Sequence, residues 1–217
     1  AGGLLASLAL GSFISAPVAG QLANKRSPRF VLQLGLVLEI VGIVGLSAML
    51  SPTQSGWAIG AWLVVYGMGV GFATAQLTGL ILSDVPVEKS GQASGTQSTA
   101  RQVGSALGTA VLGTIVFVSL RFNTEQNLYN LGLPENVANP IAEVVEKSAG
   151  TAIPSITQQG GTVEVMHAAQ QAFASALQTT GWFAASFVTL GLIASLALPL
   201  GDSHSRNSEA ELIHDFE

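Results

Sequence analysis

Five apolar stretches separated by polar runs set the pattern of this chain: residues 3–22, 30–50, 57–82, 103–120 and 180–200. Each approaches or exceeds the ~20 residues that a helix rising about 1.5 Å per residue needs to cross about 30 Å of hydrocarbon. A bilayer interior gives backbone groups no water to bond to, so runs of this length predict helices, whose hydrogen bonds are internal. The expected fold is all-α: a polytopic membrane protein with five transmembrane helices, an outer segment over 121–179 before the last of them, and a polar tail over 201–217.

The polar runs carry their own signals. In the outer segment, Asn139-Pro140 reads as an N-cap followed by a first helical residue, predicting a short helix towards Ser148, ahead of Gly150. From Thr162 onward Val165, Met166, Ala169, Phe173 and Leu177 recur at helical spacing, which predicts a helix continuing into the fifth span. Both helices are expected to rest on the bundle or on the outer membrane face rather than to form a separate binding domain. The run Gly91–Gln102, GQASGTQSTARQ, gives the fourth span a hydrophilic beginning that either lines a wet vestibule or sits among headgroups.

Composition agrees with a membrane setting. Charged residues make up 10% of the 217, against about 25% in an average soluble domain, and mean hydropathy is +0.50. Cysteine is absent, so disulfides and thiolate metal sites are excluded. His167, His204 and His214 are scattered without metal-ligand spacing, so neither a metal nor a cofactor is expected. The formal charge of −5 is concentrated in the outer segment and the tail and offers no basic face for nucleic acid. The chain opens at Ala1 with no basic stretch before its first apolar run, unlike a secretory signal, and is expected to be the C-terminal part of something longer.

Only eight Lys and Arg exist, and their placement predicts orientation. Lys25, Arg26 and Arg29 fill the first loop, Lys89 and Arg101 flank the third, and Arg206 follows the last span, whereas Arg121 and Lys147 share the long opposite segment. The positive-inside tendency then puts the Lys25 loop, the Lys89 loop and the C-terminus in the cytoplasm. The expected location is the cell's inner membrane.

Several residues inside the spans need more than spanning to explain them. Glu39 lies near the middle of the second span, where a bare charge costs roughly 2.5–3.5 kcal/mol on insertion scales. It is read either as a carrier of protons or as a protonated, hydrogen-bonded structural Glu. Gly67, Gly69 and Gly71 punctuate the third span, and Gly91/Gly95 and Gly104/Gly108 form small-xxx-small pairs that let helix backbones approach closely. Gln76, with Thr74 and Thr78, sets amide and hydroxyl groups deep in the third span, to join helices or to meet a substrate.

Two stretches carry a resemblance. Pro17-Val-Ala-Gly20-Gln-Leu22-Ala-Asn24-Lys25-Arg26-Ser-Pro-Arg29 resembles the cytoplasmic-loop signature of the major facilitator superfamily in its C-terminal-half copy, with Asn24 for the usual Asp and Ser27 for the usual Gly. The run from Val85-Pro86 through Gly91 and Gly95 to Arg101, Gly104, Gly108 and Ala110 is similar to the segment leading into the penultimate helix of fourteen-span drug:proton antiporters. The resemblance implies the last five of fourteen spans, in three-helix repeats, with substrate bound between two halves that rock to give alternating access. On this resemblance the third span lines the cavity, making Tyr66, Gln76 and Thr78 candidate substrate contacts, while Gly20, Lys25, Arg26, Arg29 and Arg101 belong to the cytoplasmic gate. Gly67, Gly71, Gly104 and Gly108 would pack helices. Glu39 would fall on a peripheral support helix, leaving it a lesser candidate for carrying protons.

The implied activity is export of small amphipathic or cationic compounds by proton antiport. The implied partners are the bilayer, the N-terminal spans of the same transporter, a small-molecule substrate and protons. Export of one specific metabolite, such as a siderophore or lipid precursor, is the alternative within transport, and a non-transporting membrane interaction module is the alternative outside it. No nucleophile-base set or phosphate-binding loop appears, so bond chemistry is not expected.

Overall fold

The computed structural model describes residues 2–83, 85–158 and 160–197. The polar tail over 201–217 and the last residues of the fifth apolar stretch lie outside that set. Among the described residues all regular structure is helical: α1 (Gly2–Lys25), α2 (Pro28–Met49), α3 (Gly56–Leu82), α4 (Ser90–Asn130), α5 (Glu135–Lys147) and α6 (Val163–Leu196), with single 3-10 turns at Val87–Lys89 and Ile153–Ser155. Five of these helices, all but α5, are long and apolar enough to cross a membrane.

Glycine decides how the first three helices meet. α3 lies between α1 and α2, and its Gly67 and Gly71 face α1 so closely that an added Cβ would collide with the Leu8 carbonyl and the Ser15 hydroxyl. Ser12 Oγ completes the contact by donating to the Gly67 carbonyl at 2.9 Å. On the other side of α3, Gly69 sits against the backbone of Glu39, while Gly35 and Gly42 of α2 take the backbones of Ala73 and Tyr66. In lipid there is little hydrophobic drive between helices, so this backbone-to-backbone approach supplies the dispersion contacts that hold them. α6 packs on α2 and α4, with Gly181 pressed onto Ser47 and Gln178 Nε2 donating to the Leu50 carbonyl at 2.6 Å. Gly91, Gly95, Gly104 and Gly108 of α4 have no heavy atom within 4 Å of a built Cβ, so among the described residues that face of α4 is open.

Two apolar clusters lie where α4, α5 and α6 meet. α4 runs three turns past its apolar stretch and α6 begins well before its own, so the two form a stalk on which α5 is laid. Leu120, Leu128, Ala138, Val145, Ile153, Val165 and Ala169 form its core. Tight C-terminal turns pass through positive φ at Gly132 and Gly150, which glycine adopts without a Cβ clash.

The start of α5 differs from the Asn139-Pro140 expectation. The helix begins at Glu135 behind Pro134, an acidic residue opening the first turn, and Pro140 falls inside it. Asn139 is unavailable as a cap because its Oδ1 accepts from Tyr129 Oη at 2.5 Å, which ties α5 to α4. The helix from Thr162 does continue into the fifth span, its first turn capped by Thr162 Oγ1, which accepts from Val165 N at 3.3 Å.

Candidate functional site

The candidate residues fall into three places. The first loop is short because Ser27 caps α2 immediately after α1 ends: its Oγ accepts from Phe30 N at 3.3 Å, with Pro28 at the first helical position. Lys25 occupies the last turn of α1, where its charge complements the helix dipole. The Arg26 guanidinium stands 5.6 Å from the Phe30 ring centroid, inside cation–π range. Arg29 reaches across the bundle, Nη2 donating to the carbonyl of Leu196 at the end of α6. This loop thus ties the start of α2 to the end of α6. Gly20 has open space around it.

The second place is where α4 diverges from α3. A cavity of about 470 Å³ opens between α2, α3, α4 and α6. Glu39, Thr74, Thr78, Gln97, Arg101 and Ser195 provide its polar lining, with Leu32, Leu36, Ala73 and Leu77 among its apolar walls. Gln97 Nε2 donates to Thr78 Oγ1 at 3.1 Å and bridges α3 to α4 at its edge. A second cleft of about 510 Å³ between α3 and α4 also has Arg101, Gln97 and Leu77 in its wall. The polar run 91–102 is therefore three turns of α4 whose Gln97 and Arg101 face these spaces.

Of the three substrate-contact candidates, only Thr78 lines the cavity. Gln76 is buried and donates through Nε2 to the Ala19 carbonyl of α1 at 3.4 Å, at the long end of the hydrogen-bond range. Tyr66 has its backbone and Cβ against Gly42 of α2. Glu39 and Arg101, both in the cavity wall, have no ion-pair partner among the described residues. Nothing local in the sequence linked those two, which stand on helices far apart in the chain.

The third place is the outer stalk. Arg121 at the stalk's base bonds to Glu125 at 2.9 Å and to Glu146 of α5 at 3.4 Å. The hydrogen bond that Arg121 donates to the Glu125 carboxylate is the main cause holding its guanidinium above its usual range. Lys147 and Glu143 pair at 2.6 Å, and their mutual hydrogen bond lowers the carboxyl and raises the amine. These side chains are solvated, so the pairs orient α5 more than they stabilise it.

Residues 1–109, half of the chain, match the profile of the Major Facilitator Superfamily. The chain belongs to the major facilitator superfamily. The chain is similar to the tetracenomycin C resistance and export protein of Streptomyces glaucescens, 36% identical over 104 residues, which are 48% of this chain and 19% of that protein. The multidrug resistance protein Stp of Mycobacterium tuberculosis is 30% identical over 137 residues, 63% of this chain and 25% of its own length. The multidrug efflux pump LfrA of Mycolicibacterium smegmatis is 30% identical over 179 residues, 82% of this chain and 34% of the pump. The chain thus spans between a fifth and a third of these superfamily relatives. No solved structure gives a significant match. Its five long apolar helices fit a multi-pass membrane protein of this superfamily.

The close-packing role of Gly11, Gly35, Gly42 and Gly181 was missed by sequence reasoning. The seven-residue spacing of Gly35 and Gly42, two turns on one face of α2, was the available signal.

Proposed function

We propose that this chain forms the C-terminal portion of a proton-coupled exporter of small amphipathic or cationic compounds, of the fourteen-span multidrug type, working by alternating access. The carrying observation is the alignment with a multidrug efflux pump along 82% of the chain. The open Gly104/Gly108 face of α4 supports the reading, since it offers a close-packing surface to spans that precede this segment in the complete transporter. Arg29 and the rest of the first loop would hold the inner gate by clasping α2 to α6, and Thr78 would meet substrate in the cavity. Gln76 would join α3 to α1. The Lys25 and Lys89 loops and the C-terminus would face the cytoplasm. No bond-making chemistry is assigned to any of these residues.

A second reading, export of one specific metabolite, is supported by the 36% identity to a protein named for export of a single compound. Accumulation of ethidium and of several unrelated drugs, in cells lacking their own efflux pumps and expressing the complete protein, separates the two. The multidrug reading predicts lowered accumulation of several compounds, reversed when a protonophore collapses the proton gradient. Protection against a single compound would favour the specific exporter, and protection against none would refute both.

A further inference from the structure

Arg101 is in an unusual position for a residue first assigned to a loop. It lies eleven positions into α4, roughly 16 Å along the helix from Ser90, and one turn beyond Gln97. Gln97 is itself level with Thr78 through their 3.1 Å hydrogen bond. The next turn carries Arg101 about 6 Å further towards the membrane centre. There it borders the cavity together with Leu36, Ala73 and Leu77.

A guanidinium does not give up its proton in a protein, so this cavity holds a permanent positive charge. A carboxyl can shed its charge by taking a proton; arginine has no such escape. Arg101 is exposed where it borders the cavity, so its charge can take a counter-anion that enters there. Among the described residues no ion pair supplies one. The only carboxyl in the cavity's described lining is Glu39, on α2, and the polar groups nearest the Arg101 level, Gln97 and Thr78, are neutral hydrogen-bonding groups suited to accompany an anion.

We propose that the cavity between α2, α3, α4 and α6 is a binding site for amphipathic organic anions. Arg101 holds the anionic group, Gln97 and Thr78 bond to it, and Leu36, Ala73 and Leu77 take the ligand's flat apolar body. Glu39, elsewhere in the same wall, makes no ion pair with Arg101, and its carboxylate, when charged, opposes an anion in the cavity. At about 470 Å³ the cavity falls within the size range of small-molecule sites. This names a substrate class opposite in charge to lipophilic cations. Its transport consequence rests on the exporter reading, whereas its binding consequence does not.

Fluorescein, an aromatic anion, and ethidium, an aromatic cation, are titrated into the purified complete protein by fluorescence anisotropy, and ethidium efflux is measured separately in cells. The wild-type protein is expected to bind fluorescein. Arg101→Gln should weaken that binding about tenfold or more, the loss of a charge-assisted contact, and Arg101→Lys should recover part of it. Glu39→Gln removes a negative charge from the cavity wall and should tighten fluorescein binding several-fold, while ethidium affinity stays unchanged in Arg101→Gln or improves.

Failure of the wild type to bind fluorescein, the outcome if another helix of the complete protein fills the cavity, would overturn the proposal. Equal losses for both dyes in Arg101→Gln would do the same. If Arg101→Gln does not fold, Glu39→Gln decides alone: weaker or unchanged fluorescein binding contradicts the assignment. Ethidium efflux without fluorescein binding would leave the exporter reading standing and remove this one.

Discussion

A single methyl group is enough to test how the first three helices are joined. Gly67 has the Leu8 carbonyl where its Cβ would be, so Gly67→Ala must push α1 and α3 apart or strain both. Overpacking of this kind costs on the order of 1–3 kcal/mol. The expected result is a lower melting temperature in detergent, with Gly79→Ala, which has open space, as the silent control. Gln76 makes a different demand. Its amide is buried against the Ala19 carbonyl, so Gln76→Ala leaves that carbonyl without this partner, a cost of roughly 1–3 kcal/mol. Thermal stability should fall and transport of different substrates should decline alike. A change in relative affinity among substrates at unaltered stability would return Gln76 to the substrate site.

The five apolar helices were legible as elements because hydrocarbon thickness sets their length and hydropathy reports it directly. The helix from Thr162 was legible by its spacing, whereas the cap expected at Asn139 failed because its side chain is bound by Tyr129 from another helix. A local motif cannot announce a tertiary partner. The same limit hid the Glu39–Arg101 cavity, assembled from four helices, while the α3 glycines stood out by their spacing.

The segment 121–179 was expected to rest on the bundle or the membrane face, and its apolar stripes indeed reported packing but not the partners: Leu120, Leu128, Val145 and Ala169 are buried where α4, α5 and α6 meet. A packed stalk resists proteases where a loose loop does not. Proteinase K applied from outside is expected to cut near Gly160-Gly161 and to spare α5. Leu128→Ala, opening a cavity at a cost of about 2–5 kcal/mol, should expose α5 to cleavage; prompt cleavage within α5 of the wild type would contradict the stalk.

At the scale of the whole molecule, the basic residues predict which way the bundle faces. Cysteine placed at Ser27 should react with an impermeant maleimide only from the cytoplasm, and at Ser148 only from outside. Labelling of Ser148 from the cytoplasmic side would invert the assignment of gate and stalk.

The account's central claim, that this bundle belongs to a proton-driven drug exporter, is tested most directly in proteoliposomes containing the purified complete protein. An imposed proton gradient should drive uptake of ethidium into vesicles whose transporter is inverted, with protons leaving as the dye enters, and nigericin should abolish both fluxes. Dye uptake no greater than in protein-free liposomes, or uptake indifferent to the proton gradient, would contradict it.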